Sequence, residues 1–279
     1  MIYVRDDLKP FFAAEKSVAD FLKIDGEVFK QFPHRRTLKF ERGGKEFFIK
    51  SHWNFGWREI IRKLLSLQLP VVSAKTEWLA IQELERIGLN TMKIAAFGEE
   101  GFSPATRKSF IITEALNATE SLERWAPRFL QLERSRERVR LKHGMIRKIA
   151  EIAGQLHRHG LNHRDFYLCH FLLDESGKAI PVQSSPTLYL IDLHRMQIRR
   201  RTRQRWLVKD IAGIFYSSMD LGLTSRDFFR FMKGYTGKSL RDTFQTDKNF
   251  WRKVFSRAVK LYRQQHGTDP TLPRLIARR

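Results

Sequence analysis

Cysteine is almost absent: Cys169 is the single one in 279 residues. That excludes an intramolecular disulfide framework and any cysteine-cluster metal site, and it is the usage expected of a reducing compartment. Acids are scarce as well, 30 Asp and Glu against 52 Lys and Arg, which leaves a formal net charge of +22. No apolar run approaches the ~20 residues of a membrane-spanning helix. The opening Met1-Ile-Tyr-Val-Arg-Asp-Asp7 sets acids where a secretory signal has a basic segment and then an apolar one. We therefore expect a cytoplasmic chain without a membrane span or visible export signal. It could still meet the acidic face of a membrane through charge alone, at roughly 1 kcal/mol per basic residue near the lipid.

Core material, by contrast, is plentiful. Hydrophobic residues make up 42% of the chain and aromatic residues 12%, which argues against disorder despite the charge. The length suits one large domain or two lobes. A surface this basic seeks anions: nucleic acid, an acidic membrane, a phosphorylated substrate or an acidic protein. Composition does not choose among them.

Patterning along the chain supplies an organisation. From Glu27 to Lys50, apolar residues alternate on either side of Gly43-Gly44, which predicts strand, tight turn, strand. Trp57 to Leu69 reads as an amphipathic helix with Ile60, Ile61, Leu64, Leu65 and Leu67 on one face, Arg58, Arg62 and Lys63 on the other, and Pro70 as its stop. Ser73 to Ile87 is a second helix, closed by Gly88, with Glu77 in its early turns. Ser109 to Glu114 is a buried strand. After Leu116 the composition changes. A basic run from Glu133 to His143 leads into a helical stripe of Ile146, Ile149, Ile152, Ala153 and Leu156 that ends at Gly160. Phe171–Asp174 and Leu188–Asp192 read as short strands around a loop with Gly177, Pro181 and Pro186. Helices follow at about Asp210–Leu221, Ser225–Lys233 and Asp247–Gln264, and the tail from Thr268 looks loose. Strands with a few helices, then mostly helices, predict an α+β, two-lobed plan with a boundary near Leu116 to Ser121.

The residues that carry chemistry are concentrated in Leu161-Asn-His163-Arg164-Asp165-Phe-Tyr-Leu-Cys-His170-Phe-Leu-Leu173, between a helix and a strand. This segment resembles the catalytic loop of protein-kinase-like phosphotransferases, with Asp165 at the aspartate and His170 where the family has asparagine. Four further features fit that resemblance. Lys50 ends an apolar strand, as the phosphate-contacting lysine does, and Glu77 sits where its ion-pair partner would be. Asp192, after Leu-Tyr-Leu-Ile, matches the metal-binding aspartate, and Asp210 the aspartate that supports the catalytic loop. Thr113-Glu114-Ala115-Leu116 resembles the hinge whose backbone meets adenine. The implied fold is an N-terminal lobe of antiparallel sheet with helices over residues 1–116 and a mainly α-helical lobe over 117–279.

Phosphoryl transfer asks for charge management more than covalent chemistry. The resemblance implies that Asp165 takes the acceptor's proton, that Asp192 holds Mg2+ on ATP, and that Lys50, steadied by Glu77, neutralises the phosphates. Three departures stand out. The Gly-rich loop is reduced to Gly43-Gly44, and imidazole is a poor ligand for a hard ion, so His170 implies either one metal or a contact to phosphate or substrate. Leu193-His194 in place of Phe-Gly argues against the regulated loop of eukaryotic protein kinases.

At finer grain, the catalytic loop, Ile-Asp192-Leu-His-Arg, Lys209-Asp-Ile-Ala, Trp53-Asn-Phe-Gly-Trp57, Leu69-Pro70-Val71 and Ala74-Lys-Thr-Glu77-Trp78 are similar to the lipopolysaccharide core heptose I kinases of Gram-negative bacteria. The match runs from about Thr37 to Leu223. It implies ATP-dependent phosphorylation of the first inner-core heptose, on a lipid-linked acceptor at the acidic cytoplasmic face of the inner membrane. A neighbouring core sugar, another small molecule, or an inactive kinase fold holding RNA or an acidic protein are the competing readings. The run Arg199-Arg200-Arg201-Thr-Arg-Gln-Arg205 stands where acceptor is arranged in kinase-like proteins, which makes Arg199, Arg200 and Arg201 candidates for acidic-sugar recognition. Acyl carrier protein is a candidate acidic partner, and no nucleic-acid partner is expected. His157, His159 and His163 lack the cysteine or carboxylate spacing of a zinc site. Cys169 reads as a small buried hydrophobe.

Overall fold

The computed structural model describes residues 1–53, 55–65, 73–133, 135–176 and 186–271. By compactness the chain divides into two units: Met1–Arg86 with Thr91–Asn117 and Asp192–Arg195, and Ile87–Asn90 with Ala118–Ile191 and Met196–Arg279. The architecture is α+β, with an antiparallel sheet in the first unit and mainly helices in the second.

In the first unit, β1 (Ile2–Val4) leads through a 3-10 turn (Asp6–Phe12) to the short helix α1 (Val18–Leu22). Ser17 and Asp20 cap α1 reciprocally. Strands β2 (Glu27–Phe32), β3 (Arg35–Arg42) and β4 (Lys45–His52) form two successive hairpins. Helices α2 (Trp57–Leu65) and α3 (Lys75–Arg86) follow, then β5 (Ile94–Glu100) and β6 (Lys108–Glu114). The sheet order is β1-β5-β6-β4-β3-β2, antiparallel throughout. Strand alternation decides what each face does: Phe47 and Ile49 of β4 are buried with Leu38 and Phe40 of β3, Phe12 and Phe21, and Phe21 stacks on Phe110 at 4.2 Å between ring centroids. Lys50 and His52 thereby lie on the other face of β4.

The structure differs from the sequence reading here. The span Glu27 to Lys50 holds three strands, not two, because a second turn falls at Pro33-His34. β2 is exposed along its whole length, so it lacks the buried alternation that would have marked it off. β5 carries Ala95 and Ala96 in its buried run, small residues that give no strand signal.

In the second unit, β7 (Thr119–Ser121) precedes helices α4 (Leu122–Gln131) and α5 (Arg136–Arg158). The strand β8 (Leu161–Asn162), β9 (Phe171–Asp174), β10 (Leu188–Leu190) and β11 (Gln197–Ile198) form two small antiparallel sheets, β10-β9-β7 and β11-β8. Helices α6 (Gln204–Ser217), α7 (Ser225–Thr236), α8 (Leu240–Thr246) and α9 (Lys248–His266) complete the unit. The expected stripe on α5 is buried at Ile149, Ile152, Ala153 and Leu156. Phe215 of α6 is ringed by Phe228, Phe231, Trp251 and Phe255, with centroids 4.9 to 6.1 Å away.

Sequence reasoning missed α4 and started α6 at Asp210, whereas the helix begins at Gln204 and places Asp210 in its middle. The basic residues before Asp210 read as a solvated run and hid the first two turns. Leu67, Leu69-Pro70-Val71, Asn54, Arg134, Gly177, Pro181 and the tail from residue 272 lie outside the described residues.

Candidate active site

In the first unit, Lys50 of β4 and Glu77, the third residue of α3, meet at 2.6 Å between Nζ and Oε1. Glu77 is 1% exposed, and its second oxygen has no hydrogen-bond partner among the described residues. Asp192, in a left-handed conformation at φ +61°, brings Oδ1 to 3.6 Å from Lys50 Nζ. A non-glycine residue there carries backbone strain of roughly 1–3 kcal/mol, the kind retained where a side chain must be aimed. Burial pulls the Lys50 ammonium down, and the charges of Glu77 and Asp192 more than offset it, so its pKa lies above the ordinary lysine value. The group is a fixed cation at neutral pH.

Two histidines border this cluster. His194 Nδ1 lies 2.5 Å from Asp192 Oδ1; the ring nitrogen donates and the carboxylate accepts, which fixes how the carboxylate is turned. His52 is buried, with neither ring nitrogen hydrogen-bonded among the described residues. Burial, reinforced by Arg35, Lys50 and His194, pushes its pKa down to about 3, so it is neutral.

In the second unit, the loop Asn162–His170 is held from beneath by Asp210, which is fully buried. Its carboxylate accepts the backbone N–H groups of His163 at 2.7 Å and Arg164 at 2.9 Å. Arg164 is left-handed at φ +75°, and the second of those bonds holds it there. Gly213 of α6 permits the close approach, since a Cβ at that position would lie 2.7 Å from the Phe166 carbonyl oxygen. Below Asp210, His157 lies with Nε2 at 3.4 Å from it and Nδ1 at 2.8 Å from the Tyr235 hydroxyl. Burial, then the charge of Asp210, raises the Tyr235 pKa. His170 Nδ1 donates to the Asp165 carbonyl at 2.6 Å, its ring stacked on His163 with centroids 5.5 Å apart. His163 Nε2 in turn donates to the Ile191 carbonyl at 2.9 Å. Asp165 is thus fixed at its backbone by His170 and at its neighbour by Asp210.

The remaining candidates fall elsewhere. Gly43 and Gly44, at φ +60° and +71°, form the two-residue turn that joins β3 to β4. The structure does not bring them to Lys50, because six strand residues at about 3.3 Å each put the turn roughly 20 Å along β4 from it. The turn at the lysine's end is Phe32–Arg35, since Thr37 pairs with Lys50 and Arg35 with His52. Gly43 is required by packing, as a Cβ would collide with the Phe11 ring. The Glu114 carboxylate is turned to the Arg5 guanidinium, while the backbone N–H of Glu114 donates to the Lys93 carbonyl and that of Ala115 to the Glu46 carbonyl, both at 2.9 Å. Arg199 is half-buried and anchored, its Nη1 donating to Asn162 Oδ1 at 2.7 Å and its N–H to the Gly160 carbonyl at 3.1 Å. Arg200 and Arg201 are exposed. Sequence reasoning missed His52, His194, Tyr235 and Gly213. His194 alone had a signal, its place two residues after Asp192.

A magnesium ion is carried by one or two carboxylates together with substrate phosphates. Asp192, a partly exposed carboxylate beside a fixed cation, fits that role, whereas the imidazole of His170 adds no ligand of the type magnesium takes.

A lysine paired to a buried glutamate, an aspartate turned to it, and a separate loop held on a buried aspartate are met in phosphotransferases of protein-kinase-like fold, enzymes that pass a phosphoryl group to a hydroxyl. Comparison with known proteins narrows the class. The family model described as the lipopolysaccharide kinase (Kdo/WaaP) family matches residues 19–235. The lipopolysaccharide core heptose(I) kinase WaaP of Escherichia coli (strain K12) is 40% identical over 263 residues, 94% of this chain and 97% of the relative. WaaP of Pseudomonas aeruginosa is 40% identical over 249 residues, 88% and 90% of the two chains. A solved structure of WaaP in complex with acyl carrier protein superposes with a TM-score of 0.79 at 32% identity, covering 94% of this chain and 99% of that one. The chain belongs to the lipopolysaccharide kinase (Kdo/WaaP) family. Among the described residues, no helix is long and apolar enough to cross a membrane.

Proposed function

We propose that this protein phosphorylates the first inner-core heptose of lipopolysaccharide, with ATP as donor and Mg2+ as its ion. The observation that carries the reading is the Lys50 ammonium set between Glu77 at 2.6 Å and Asp192 at 3.6 Å, in a chain 40% identical to heptose(I) kinases over nearly its whole length. Lys50 neutralises the phosphate oxygens, and Glu77 fixes its flexible stem. Asp192 would hold the magnesium, which would supply charge neutralisation on the phosphates. Asp165 orients the heptose hydroxyl and takes its proton while that oxygen bonds to the γ-phosphorus and the bond to the β-phosphate oxygen breaks, releasing ADP. His170 positions Asp165 through its carbonyl, and the Glu114 segment is assigned to the adenine. In chain order we assign nucleotide contacts to a lobe over residues 1–116, and the catalytic loop, Asp192 and the acceptor surface Arg199–Arg201 to a lobe over 117–279, although by compactness Asp192–Arg195 falls with the first unit.

Charge supports a cytoplasmic enzyme peripheral to the inner membrane, because a +22 chain is drawn to anionic lipid and to an acidic, lipid-linked acceptor. An acidic carrier protein suits the arginine-rich helices in the same way, and the resemblance to WaaP in complex with acyl carrier protein favours it. Failure to co-elute with acyl carrier protein at low salt would remove that partner.

The acceptor assignment is tested by incubating the protein and magnesium-ATP with core lipopolysaccharides truncated after no heptose, one heptose or two, and mapping the product by mass spectrometry. The reading predicts one added phosphoryl group on the first heptose and none on the heptose-free acceptor. Phosphate on a neighbouring sugar would replace it with the competing reading.

A further inference from the structure

On the sheet face that carries Lys50, in the first unit, positive charge gathers at one end. Residues paired across neighbouring strands share a face, so the rows Lys30, Thr37, Lys50 and Phe32, Arg35, His52 lie side by side on it. Arg35 is thereby the diagonal neighbour of Lys50, a relation that sets Cβ atoms about 7–8 Å apart and puts two long side chains within reach of one another. The crowding of like charge registers on the neighbours. Burial first, then Arg35, pushes the His52 pKa down, and at Lys50 Arg35 acts downward too, after burial and against the larger pull of Glu77 and Asp192. Counter-charge is missing from this end of the face. Glu77 and Asp192 are turned to Lys50, His52 is neutral, and neither Lys30 nor Arg35 has a carboxylate within ion-pair distance among the described residues.

The two cations are also held in place. The Arg35 guanidinium lies 4.9 Å and the Lys30 ammonium 5.4 Å from the centroid of the Phe32 ring, whose negative face attracts both. Arg36, the next residue, points to the opposite face, where its Nη2 donates to the Leu22 carbonyl at 2.9 Å. The His34 carbonyl accepts the Trp53 N–H at 3.2 Å, which ties the turn to the chain beyond β4. That turn, Phe32-Pro33-His34-Arg35, contains no glycine, and its proline has no N–H to donate. An anion beside it is met by side-chain cations rather than by a row of backbone N–H groups.

We propose that Arg35, supported by Lys30 and steadied on the Phe32 ring, binds the phosphate chain of the nucleotide from the turn between β2 and β3 and shares it with Lys50. This deepens, and rests on, the reading of Lys50 as the cation that meets the nucleotide's phosphates. A guanidinium takes two phosphate oxygens at once, so affinity rises with the number of phosphates, and adenosine alone gains nothing from Arg35. A lipid headgroup is the lesser fit, because Arg35 is half-buried beside Lys50 whereas contact with a membrane surface asks for exposed cations.

The first arm of the test needs no turnover. Calorimetric titration of the full chain with magnesium-ATP, magnesium-ADP and adenosine, at constant ionic strength, compares wild type with Arg35→Gln, which keeps most of the stem and removes the charge. Arg35→Gln weakens ATP binding at least tenfold, ADP binding less, and adenosine binding less than twofold. Arg35→Lys recovers part of the loss, Lys30→Gln costs about threefold on ATP, and Arg241→Ala on α8 changes nothing. Thermal melts confirm that each variant is folded. In the second arm, Arg35→Gln raises the KM for ATP at least tenfold and leaves the KM for lipopolysaccharide acceptor within twofold. If Lys50→Met loses ATP while Arg35→Gln binds it as wild type does, the proposal falls and the reading of Lys50 stands. If wild type binds no ATP, both fall together. An equal loss of ATP and adenosine overturns the proposal, as does a rise in the acceptor KM alone. So does a loss by Arg35→Gln of binding to phosphatidylglycerol vesicles with ATP binding intact, which would make the turn a membrane contact.

Discussion

Asp210 is the keystone of the loop that carries Asp165, and substituting it separates charge from packing. The carboxylate is fully buried and accepts two backbone N–H groups, at 2.7 and 2.9 Å. Hydrogen bonds to a charged group contribute about 1.5–3 kcal/mol each. Asp210→Ala forfeits both and leaves two buried donors unpaired, but it also removes a carboxylate that was costly to desolvate. The net expectation is the low end of the sum, about 3 kcal/mol. For a chain of this size that lowers the melting midpoint by roughly 6–12 °C. Asp210→Asn keeps the volume but turns an amide N–H toward the His163 N–H, donor against donor, so it should cost about as much as alanine. Thermal melts compare the three proteins, and hydrogen exchange at the His163 and Arg164 amides reads the loop directly. If Asp210→Asn melts within about 2 °C of wild type with both amides still protected, Asp210 only fills space and the account of the loop is refuted.

Other consequences follow from the same geometry. Lys50→Met leaves Glu77 buried and uncompensated, lowering stability by about 3 kcal/mol and kcat/KM on the order of a hundredfold or more. Adding Glu77→Leu should restore most of the stability and none of the activity, and additive losses in chemical denaturation would contradict the pairing. His52 contributes a pH dependence whose sign is fixed by its depressed pKa, about 3 when folded against about 6.5 when unfolded. Below about pH 6.5 the unfolded chain takes a proton the folded one refuses, so the contribution is complete above that pH and falls as pH drops toward 3, by about 2 kcal/mol between pH 6.5 and 5. His52→Leu should flatten the stability–pH curve by that amount, and identical slopes would refute it. Gly44→Ala should cost about 1–2 kcal/mol for its left-handed turn, and Gly43→Ala more, through the Phe11 ring. Neither should alter the KM for ATP twofold, since the turn lies far along β4 from Lys50; a larger change would return the glycines to the phosphate site.

Legibility in the sequence followed burial and order along the chain. Lys50, Glu77 and Asp192 were readable because each lies at the end of a strand or in the first turns of a helix with strong apolar patterning, and the structure brings these three together. Asp210 was readable as a loop support, although its helix was begun six residues late. What escaped depends on contacts between distant segments. His52 looks like an ordinary strand residue until Arg35 is paired opposite it. Gly213 has no local signal, since the need for it comes from the Phe166 carbonyl above. Gly43-Gly44 lies away from Lys50 because a glycine pair marks any tight turn, and the exposed strand β2 concealed the hairpin whose turn lies at the lysine's end.

The central claim is that Asp165 takes the acceptor's proton while Asp192 and Lys50 serve the nucleotide. It is met most directly by label transfer from magnesium-ATP to unphosphorylated, heptose-terminated core lipopolysaccharide, with wild type, Asp165→Ala and Asp192→Ala side by side and folding checked by thermal melts. Transfer by wild type, with both variants folded and at least a thousandfold slower, is the predicted result. A folded Asp165→Ala that transfers label at the wild-type rate would contradict the account.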